Sequence, residues 1–240
     1  MKLSKGIFLT FLAVICYTLQ AFATWSIIII DPKTKEIGIA GASCTYSVYG
    51  IGTIIPGKGA VVVQAMSNNN ARKKGATMVQ QGIAPEKILN ALRDPIFDPE
   101  NQQYAIVCLY DLSNPVSYTG TSASPFKGSL TANGVSVQGN ILAAPDELKA
   151  ILDAVLKGQK EHLGIAEILM HALEAGAELG GDKRCGERKA ASAFISVAKP
   201  SDDPQNLSIN LVVTGENENV NAITALRNKF ETWKADVKKR

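Results

Sequence analysis

One residue of this sequence becomes a candidate nucleophile if the segment before it is removed. Lys2 and Lys5 precede an apolar run over residues 7–19 and then Ala21-Phe22-Ala23, the pattern of a secretory signal peptide and its cleavage site. Cleavage there leaves Thr24 at the N-terminus. An N-terminal threonine carries its own general base, because an α-amino group with a pKa of about 8 can accept the hydroxyl proton. Thr24 is therefore a candidate catalytic nucleophile that needs no histidine.

Two other interpretations of this terminus compete with that one. A type IV pilin leader needs an acidic residue just after its cut, and residues 1–30 contain none. Alternatively, signal peptidase simply leaves an unreactive threonine behind. The terminus alone does not decide between a reactive and an unreactive Thr24.

Other catalytic and cofactor patterns are weak. His171 shares a helical face with Glu167, Glu174 and Glu178, so a metal site can be drawn, but this spacing more often marks an ion-paired, solvent-facing surface. Neither histidine of the chain lies beside a nucleophile signature such as Gly-x-Ser-x-Gly. Residues 52–58 resemble a phosphate-binding loop but lack the Ser or Thr and the helix that must follow. We therefore predict no metal and no cofactor.

The cysteines indicate one disulfide. If Cys16 leaves with the signal peptide, Cys44, Cys108 and Cys185 remain, an odd number in an oxidising compartment. Cys108 lies in the apolar, strand-like run 104–110, where a free cysteine packs as a small hydrophobe. Cys44 and Cys185 lie in polar segments beside glycines, so we expect these two to pair and Cys108 to stay reduced.

Composition restricts the partners. The chain has 240 residues with 25 Lys and Arg against 22 Asp and Glu, a net charge of +3, and this balance argues against a nucleic-acid-binding role. Its 46% hydrophobic content is enough for a folded core. No segment after residue 23 is long and apolar enough to span a bilayer, so we expect no membrane association after signal cleavage. The expected location is periplasmic or extracellular.

The elements that must position these residues come in pairs. Strands arrive as hairpins, and helices arrive two at a time, which favours antiparallel sheets covered by helix layers over a doubly wound parallel sheet. With no linker or repeat visible, we predict a signal peptide over 1–23 and one α+β domain over 24–240. The predicted strands are 25–30, 36–42, 59–66, 104–111, 116–119, 135–138, 191–198 and 207–213, and the predicted helices are 68–81, 85–93, 145–158, 162–179 and 221–238.

Several motifs along the chain resemble the domain-of-unknown-function 1028 family, which is sometimes labelled pilin-like. They are Thr24-Trp25-Ser26-Ile27, Asp31-Pro32, Gly38-Ile39-Ala40-Gly41-Ala42-Ser43, Val62-Val63-Gln64-Ala65, Val135-Ser136-Val137-Gln138-Gly139-Asn140 and Gly180-Gly181-Asp182-Lys183-Arg184. The resemblance implies an N-terminal-nucleophile (Ntn) hydrolase-like fold, a four-layer αββα sandwich of two antiparallel sheets between helix layers. Many relatives begin with Met-Thr, so that removal of Met exposes the threonine that signal cleavage exposes here. The segment Cys185-Gly186-Glu187 departs from the family pattern, as does Met66-Ser67-Asn68 where an aromatic residue is commoner.

Chemical roles follow for the residues in these motifs. Thr24 Oγ would attack an amide carbonyl, while the Thr24 amine takes the proton and later returns it. The tetrahedral oxyanion needs two donors, for which we choose the Asn140 side chain and the backbone N–H of Gly139. No metal or cofactor enters this scheme.

The remaining motif residues are candidates for substrate binding. Gln64 and Gln138 end predicted inner strands, where they could orient the substrate or the amine. Asp182 and Arg184 suit the amino and carboxylate groups of an amino-acid-like molecule. The structural alternatives are a loop ion pair for Asp182 with Arg184, and satisfied polar groups in the sheet for the two glutamines.

Three hypotheses of function result. The leading one is an exported Ntn-type amidohydrolase that acts on a small amide or peptide-like substrate. The alternative is a non-catalytic small-molecule-binding protein on the same fold, and the weakest is a structural surface or fimbrial component. Homo-oligomer formation is left open.

Overall fold

The computed structural model describes residues 24–123, 126–215 and 219–239, so the predicted signal peptide at 1–23 lies outside the described residues. Within these ranges the chain forms ten strands and five α-helices. The strands are β1 (Thr24–Ile30), β2 (Ile37–Ser43), β3 (Gly52–Ile55), β4 (Gly59–Ala65), β5 (Gln102–Cys108), β6 (Asp111–Thr119), β7 (Gly128–Ala132), β8 (Val135–Asn140), β9 (Ser192–Ala198) and β10 (Ile209–Val213). The helices are α1 (Asn69–Gln80), α2 (Pro85–Leu92), α3 (Glu147–Lys160), α4 (Ile165–Glu178) and α5 (Ala222–Lys238).

The strands form two antiparallel sheets. The first has six strands in the order β10-β9-β2-β1-β8-β7, and the second has four in the order β3-β4-β5-β6. One apolar core packs α3, α4 and α5 on the six-stranded sheet, a second lies between the sheets, and a third packs α1 and α2 on the four-stranded sheet. The α+β sandwich predicted from the order of hairpins and helix pairs is confirmed.

Strand β1 lies near the centre of this arrangement and is buried on both faces. Because successive side chains of a strand point to opposite faces, Trp25, Ile27 and Ile29 join the core under the helices, while Ile28 and Ile30 join the core between the sheets. The same alternation directs Thr24 and Ser26 into the space between the sheets. The first residue of β1 therefore lies at one end of the middle layer.

The disulfide predicted from the sequence is present, since Cys44 and Cys185 are bonded with their Cα atoms 5.4 Å apart. Cys44 directly follows β2, so the bond ties the end of that strand to a loop 141 residues further along the chain. Cys108 is free and buried, as expected, and burial raises the pKa of its thiol to about 11. In the ranges that the structure describes, no helix has the length and apolar character of a membrane span.

Candidate functional site

Thr24 begins a row of polar residues across the end of the six-stranded sheet. In the antiparallel register it lies opposite Ser43 of β2 on one side and Asn140 of β8 on the other. Ser43 in turn lies opposite Ser192 of β9. All four residues are buried, and Thr24 is only 2% exposed. Four neighbouring strands, β9, β2, β1 and β8, therefore each contribute a polar residue to this row, at one end of the six-stranded sheet.

A cavity of about 350 Å³ opens beside this row. Its wall comes from Thr24, from the loop that follows β2, from the end of β4 and from the first turn of α1. The lining residues are Thr24, Thr45, Ser47, Val48, Tyr49, Gly50, Ile51, Gln64, Ala65, Met66, Ser67, Asn69 and Arg72. The volume suits a small organic molecule.

The segment that joins β4 to α1 is strained where it borders the cavity. Ala65 and Ser67 have φ values of 68° and 52°, a left-handed conformation that costs side-chain-bearing residues about 1–3 kcal/mol each. Hydrogen bonds hold this conformation, from Met66 N–H to the Asn101 carbonyl (3.2 Å) and from Ser67 Oγ to the Val63 carbonyl (3.1 Å). Such strain concentrates at functional sites, where the surrounding structure maintains it.

A buried network of hydrogen-bonded, uncharged side chains reaches the Thr24 carbonyl. Gln64 Nε2 donates to the Thr24 carbonyl at 3.3 Å and to Gln103 Oε1 at 2.9 Å. Gln64 Oε1 accepts from Ser26 Oγ at 2.5 Å. Gln64 thus connects the strand of Thr24 to the second sheet and also lines the cavity.

Gln103 is the centre of this network. Its Oε1 also accepts from Asn140 Nδ2 at 2.8 Å, and its Nε2 faces the Gly139 carbonyl at 2.9 Å and Thr119 Oγ1 at 3.0 Å. Asn140 and Gly139 are the two predicted oxyanion donors. Here the Asn140 amide is held by Gln103, and neither residue lines the cavity.

Gln138 occupies the far end of the same network. Its Nε2 donates to Ser26 Oγ at 2.5 Å, and its Oε1 accepts from Ser136 Oγ at 2.9 Å. The hydrogen bonds therefore run without a break from Ser136 through Gln138, Ser26 and Gln64 to the Thr24 carbonyl. Gln138 is buried and lies away from the cavity wall.

Among the residues that the structure describes, neither the cavity lining nor the network includes a side chain that could act as a general base near neutral pH. The described residues that form them offer hydroxyl and amide groups and the guanidinium of Arg72, but no carboxylate and no imidazole. A nucleophile at this position must obtain its base elsewhere. The α-amino group of an N-terminal Thr24 is such a base.

Asp182 and Arg184 lie near the same end of the six-stranded sheet, and they do not line the cavity. Fully buried Asp182 accepts from the backbone N–H of Cys44 at 2.6 Å, and its carboxylate is paired by Arg184 through Nε at 3.1 Å and Nη2 at 2.8 Å. Asp182 also caps its own loop by accepting from the Arg184 N–H. This pair fixes the residue after Ser43, the β2 partner of Thr24.

The structure adds site residues that the sequence interpretation did not single out. Ser26, Gln103 and Ser136 complete the network, and their sequence signal is a polar residue on the inward face of a strand whose other inward positions are apolar. Arg72 also lines the cavity, but in the sequence it is one of three consecutive basic residues near the start of a helix and looks like part of a solvated surface.

No metal centre is formed in the part of the chain that the structure describes, where no three His, Cys, Asp or Glu side chains are grouped to hold an ion. His171 lies 3.5 Å from Glu167, and that carboxylate is also paired with Arg227 and Lys234. The helical face considered above as a metal site is thus an ion-paired contact between α4 and α5.

Comparison with known proteins identifies the family. The model of a family of unknown function, DUF1028, matches residues 24–223. The crystal structure of protein SPO2555 from Silicibacter pomeroyi, described as a DUF1028 protein, is 25% identical to this chain, with a TM-score of 0.73 and coverage of 88% of each chain. No curated protein matches the sequence.

Proposed function

The chain belongs to the family of unknown function DUF1028, and from that starting point we propose that it is an exported Ntn-type amidohydrolase that uses Thr24 on a small amide or peptide-like substrate. The main support is the position of Thr24, which begins a central strand at the wall of a polar cavity whose described lining offers no other base. Export to the periplasm or beyond is part of the proposal. The signal-peptide pattern and the Cys44–Cys185 disulfide support it, since structural disulfides are typical of oxidising compartments.

In the proposed reaction, the Thr24 amine accepts the proton of Oγ while Oγ bonds to the amide carbonyl carbon. The protonated amine then gives that proton to the leaving nitrogen, the C–N bond breaks, and an amine product departs. The acyl group remains as an ester on Thr24. A water molecule, deprotonated by the same amine, hydrolyses the ester and releases a carboxylic acid.

For the oxyanion we propose Asn140 Nδ2 and the backbone N–H of Gly139. Asn140 lies directly opposite Thr24 in the β1–β8 pair, so its amide is the side-chain donor on the neighbouring strand. In this role Nδ2 donates one hydrogen bond to the substrate oxygen and one to Gln103 Oε1. The two hydrogens of a side-chain amide permit both bonds. Loss of such a donor typically lowers kcat by about 100- to 1000-fold.

The other motif residues then act as positioning residues. Gln64 fixes the Thr24 carbonyl and borders the cavity, and Gln138 holds Ser26 and, through it, Gln64. Asp182 with Arg184 fixes the backbone beside Ser43. We assign these four side chains to the orientation of Thr24 because their hydrogen bonds already join them to protein groups.

Labelling with an electrophilic β-lactone tests the nucleophile. The exported protein is incubated with the lactone and its intact mass is measured, alongside Thr24→Ala and the matched control Thr45→Ala, which removes another threonine from the same cavity. We expect one adduct on the wild type and on Thr45→Ala, and none on Thr24→Ala. An unlabelled wild type, or equal labelling of Thr24→Ala, would contradict the proposal.

A non-catalytic small-molecule-binding protein is the second candidate. The observation in its favour is that the network beneath Thr24 is satisfied internally, with the Asn140 amide held by Gln103. It predicts that a ligand found by thermal-shift screening stabilises the wild type and Thr24→Ala equally and is recovered unchanged. Conversion of that ligand by the wild type and not by Thr24→Ala would exclude this candidate.

A further inference from the structure

The cavity beside Thr24 contains one charged side chain among its described lining residues, Arg72 in the first turn of α1. Nη1 of this guanidinium is buried and has no hydrogen-bond partner. No ion pair or side-chain hydrogen bond joins Arg72 to another described residue. A buried donor without a partner costs free energy, more so when it is charged.

The other arginines of the described chain have partners. Arg227 pairs with three glutamates, Arg184 pairs with Asp182, Arg93 lies over the ring of Tyr118, and Arg188 donates to the disulfide sulfurs. Arg72 lacks such a partner. Burial lowers its pKa with no neighbouring acid to oppose the shift, but an arginine guanidinium remains charged at neutral pH.

The surroundings of Arg72 suit an anion. The cavity lining offers hydroxyl and amide groups from Thr45, Ser47, Ser67 and Asn69 and has no acidic residue in its described part. The N-terminal end of α1, with its partial positive charge, also meets the cavity at Asn69. A carboxylate is the planar anion that a guanidinium binds with two parallel hydrogen bonds.

We propose that the cavity binds a small molecule that carries a carboxylate, and that Arg72 is the residue that binds this group. The claim that Thr24 cleaves an amide bond of this molecule rests on the proposed function. The claim that the cavity prefers a carboxylate does not depend on it. Arg72 and Thr24 both line the cavity of about 350 Å³, which has room for a ligand of amino-acid size, and Arg72 also borders a second cavity of about 240 Å³. The substrate class is then a small N-acyl amino acid or a similar carboxylate-bearing amide.

A matched pair of ligands tests the preference. N-Acetylalanine and N-acetylalaninamide have nearly the same shape and differ in the carboxylate, as do glutarate and glutaramide. Binding is measured by isothermal titration at low salt to the chain from Thr24 onward, both as wild type and as Thr24→Ala, which prevents turnover. Arg72→Gln removes the guanidinium, and Lys73→Gln is the control, because it makes the same charge change at the exposed next residue of α1.

We expect at least one carboxylate to bind more tightly than its carboxamide counterpart. Arg72→Gln should weaken the carboxylate by about 10- to 100-fold, the loss of a hydrogen bond to a charged group, and change the carboxamide by less than about twofold. Lys73→Gln should leave both ligands unchanged. Arg72→Lys keeps the positive charge but loses the pair of parallel N–H donors of the guanidinium. It should therefore give an intermediate carboxylate affinity.

Two results would overturn the proposal. One is that no carboxylate of the series binds the wild type more tightly than its carboxamide. The other is that Arg72→Gln, folded by circular dichroism, keeps the wild-type preference; if that variant fails to fold, wild-type affinity of Arg72→Lys for the carboxylate has the same meaning. Because binding is also measured in Thr24→Ala, failure of lactone labelling would remove the enzyme proposal and leave this one standing.

Discussion

Replacement of Gln103 by leucine should destabilise the protein, because the buried amide of Asn140 loses its hydrogen-bond partner. Leucine keeps most of the side-chain volume, so the change removes hydrogen bonds rather than packing. The Asn140 Nδ2 group then lacks its 2.8 Å bond to Gln103 Oε1, whereas the Gly139 carbonyl loses a 2.9 Å bond but keeps its place in the β7–β8 pairing with Gly128. Gln64 Nε2 keeps its bond to the Thr24 carbonyl.

The expected loss follows mainly from the Asn140 amide. An unpaired buried donor costs about 1–3 kcal/mol, so Gln103→Leu should lower the free energy of unfolding by roughly that amount. Urea unfolding of the chain from Thr24 onward measures this as a lower midpoint with an unchanged m-value. Because Asn140 is also the proposed oxyanion donor, any amidase activity should fall in the same variant.

Thr119→Val provides the matched control. Thr119 Oγ1 is one of several acceptors that face Gln103 Nε2, and the Gly139 carbonyl remains when it is lost. Its removal should cost no more than about 1.5 kcal/mol. A cost below about 1 kcal/mol for Gln103→Leu, or an equal cost for both variants, would refute the argument that Gln103 is the centre of the network.

Two further predictions concern the covalent and the ionisable parts of the fold. Cys44→Ser with Cys185→Ser should lower the free energy of unfolding by up to about 5 kcal/mol, because the bond closes a loop of 141 residues in the unfolded chain; urea unfolding should show the same loss when the wild type is reduced, and a loss under about 1 kcal/mol would contradict it. Burial raises the pKa of Glu147 from its usual 4.5 to about 8. The folded state therefore holds this proton more tightly than the unfolded chain, and stability should fall by up to about 1.4 kcal/mol per pH unit as pH rises from about 4.5 to 8. Glu147→Gln should flatten that decline in thermal unfolding measured across the window, and an unchanged slope would contradict it.

The strands and helices with two-sided or periodic burial were predictable from the sequence. β1 and β2 follow from their continuous apolar runs, and α1 begins where Asn68 accepts hydrogen bonds from the N–H groups of Asn70 and Ala71. β3 and β7 were not predicted. Both are short edge strands with partly exposed residues, so neither carries the alternation that marks a half-buried strand.

The site was predictable only in part, for a different physical reason. Thr24, Gln64 and Asn140 belong to strands whose pattern is visible, and the structure does bring them together. Which hydrogen bonds they make depends on contacts between the two sheets, such as that between Gln64 and Gln103, and a single sequence does not specify those contacts. The cavity-facing role of Arg72 likewise depends on how α1 meets the end of β4.

Identification of the mature N-terminus decides whether Thr24 can be the nucleophile. The full-length precursor is expressed in a bacterium with a secretory pathway, and the exported protein is analysed by intact mass and N-terminal sequencing. We predict a chain that starts at Thr24 with a free amine. A chain that starts at any other residue, or that keeps residues 1–23, would contradict it, because Thr24 would then lack the amino group that makes it a nucleophile.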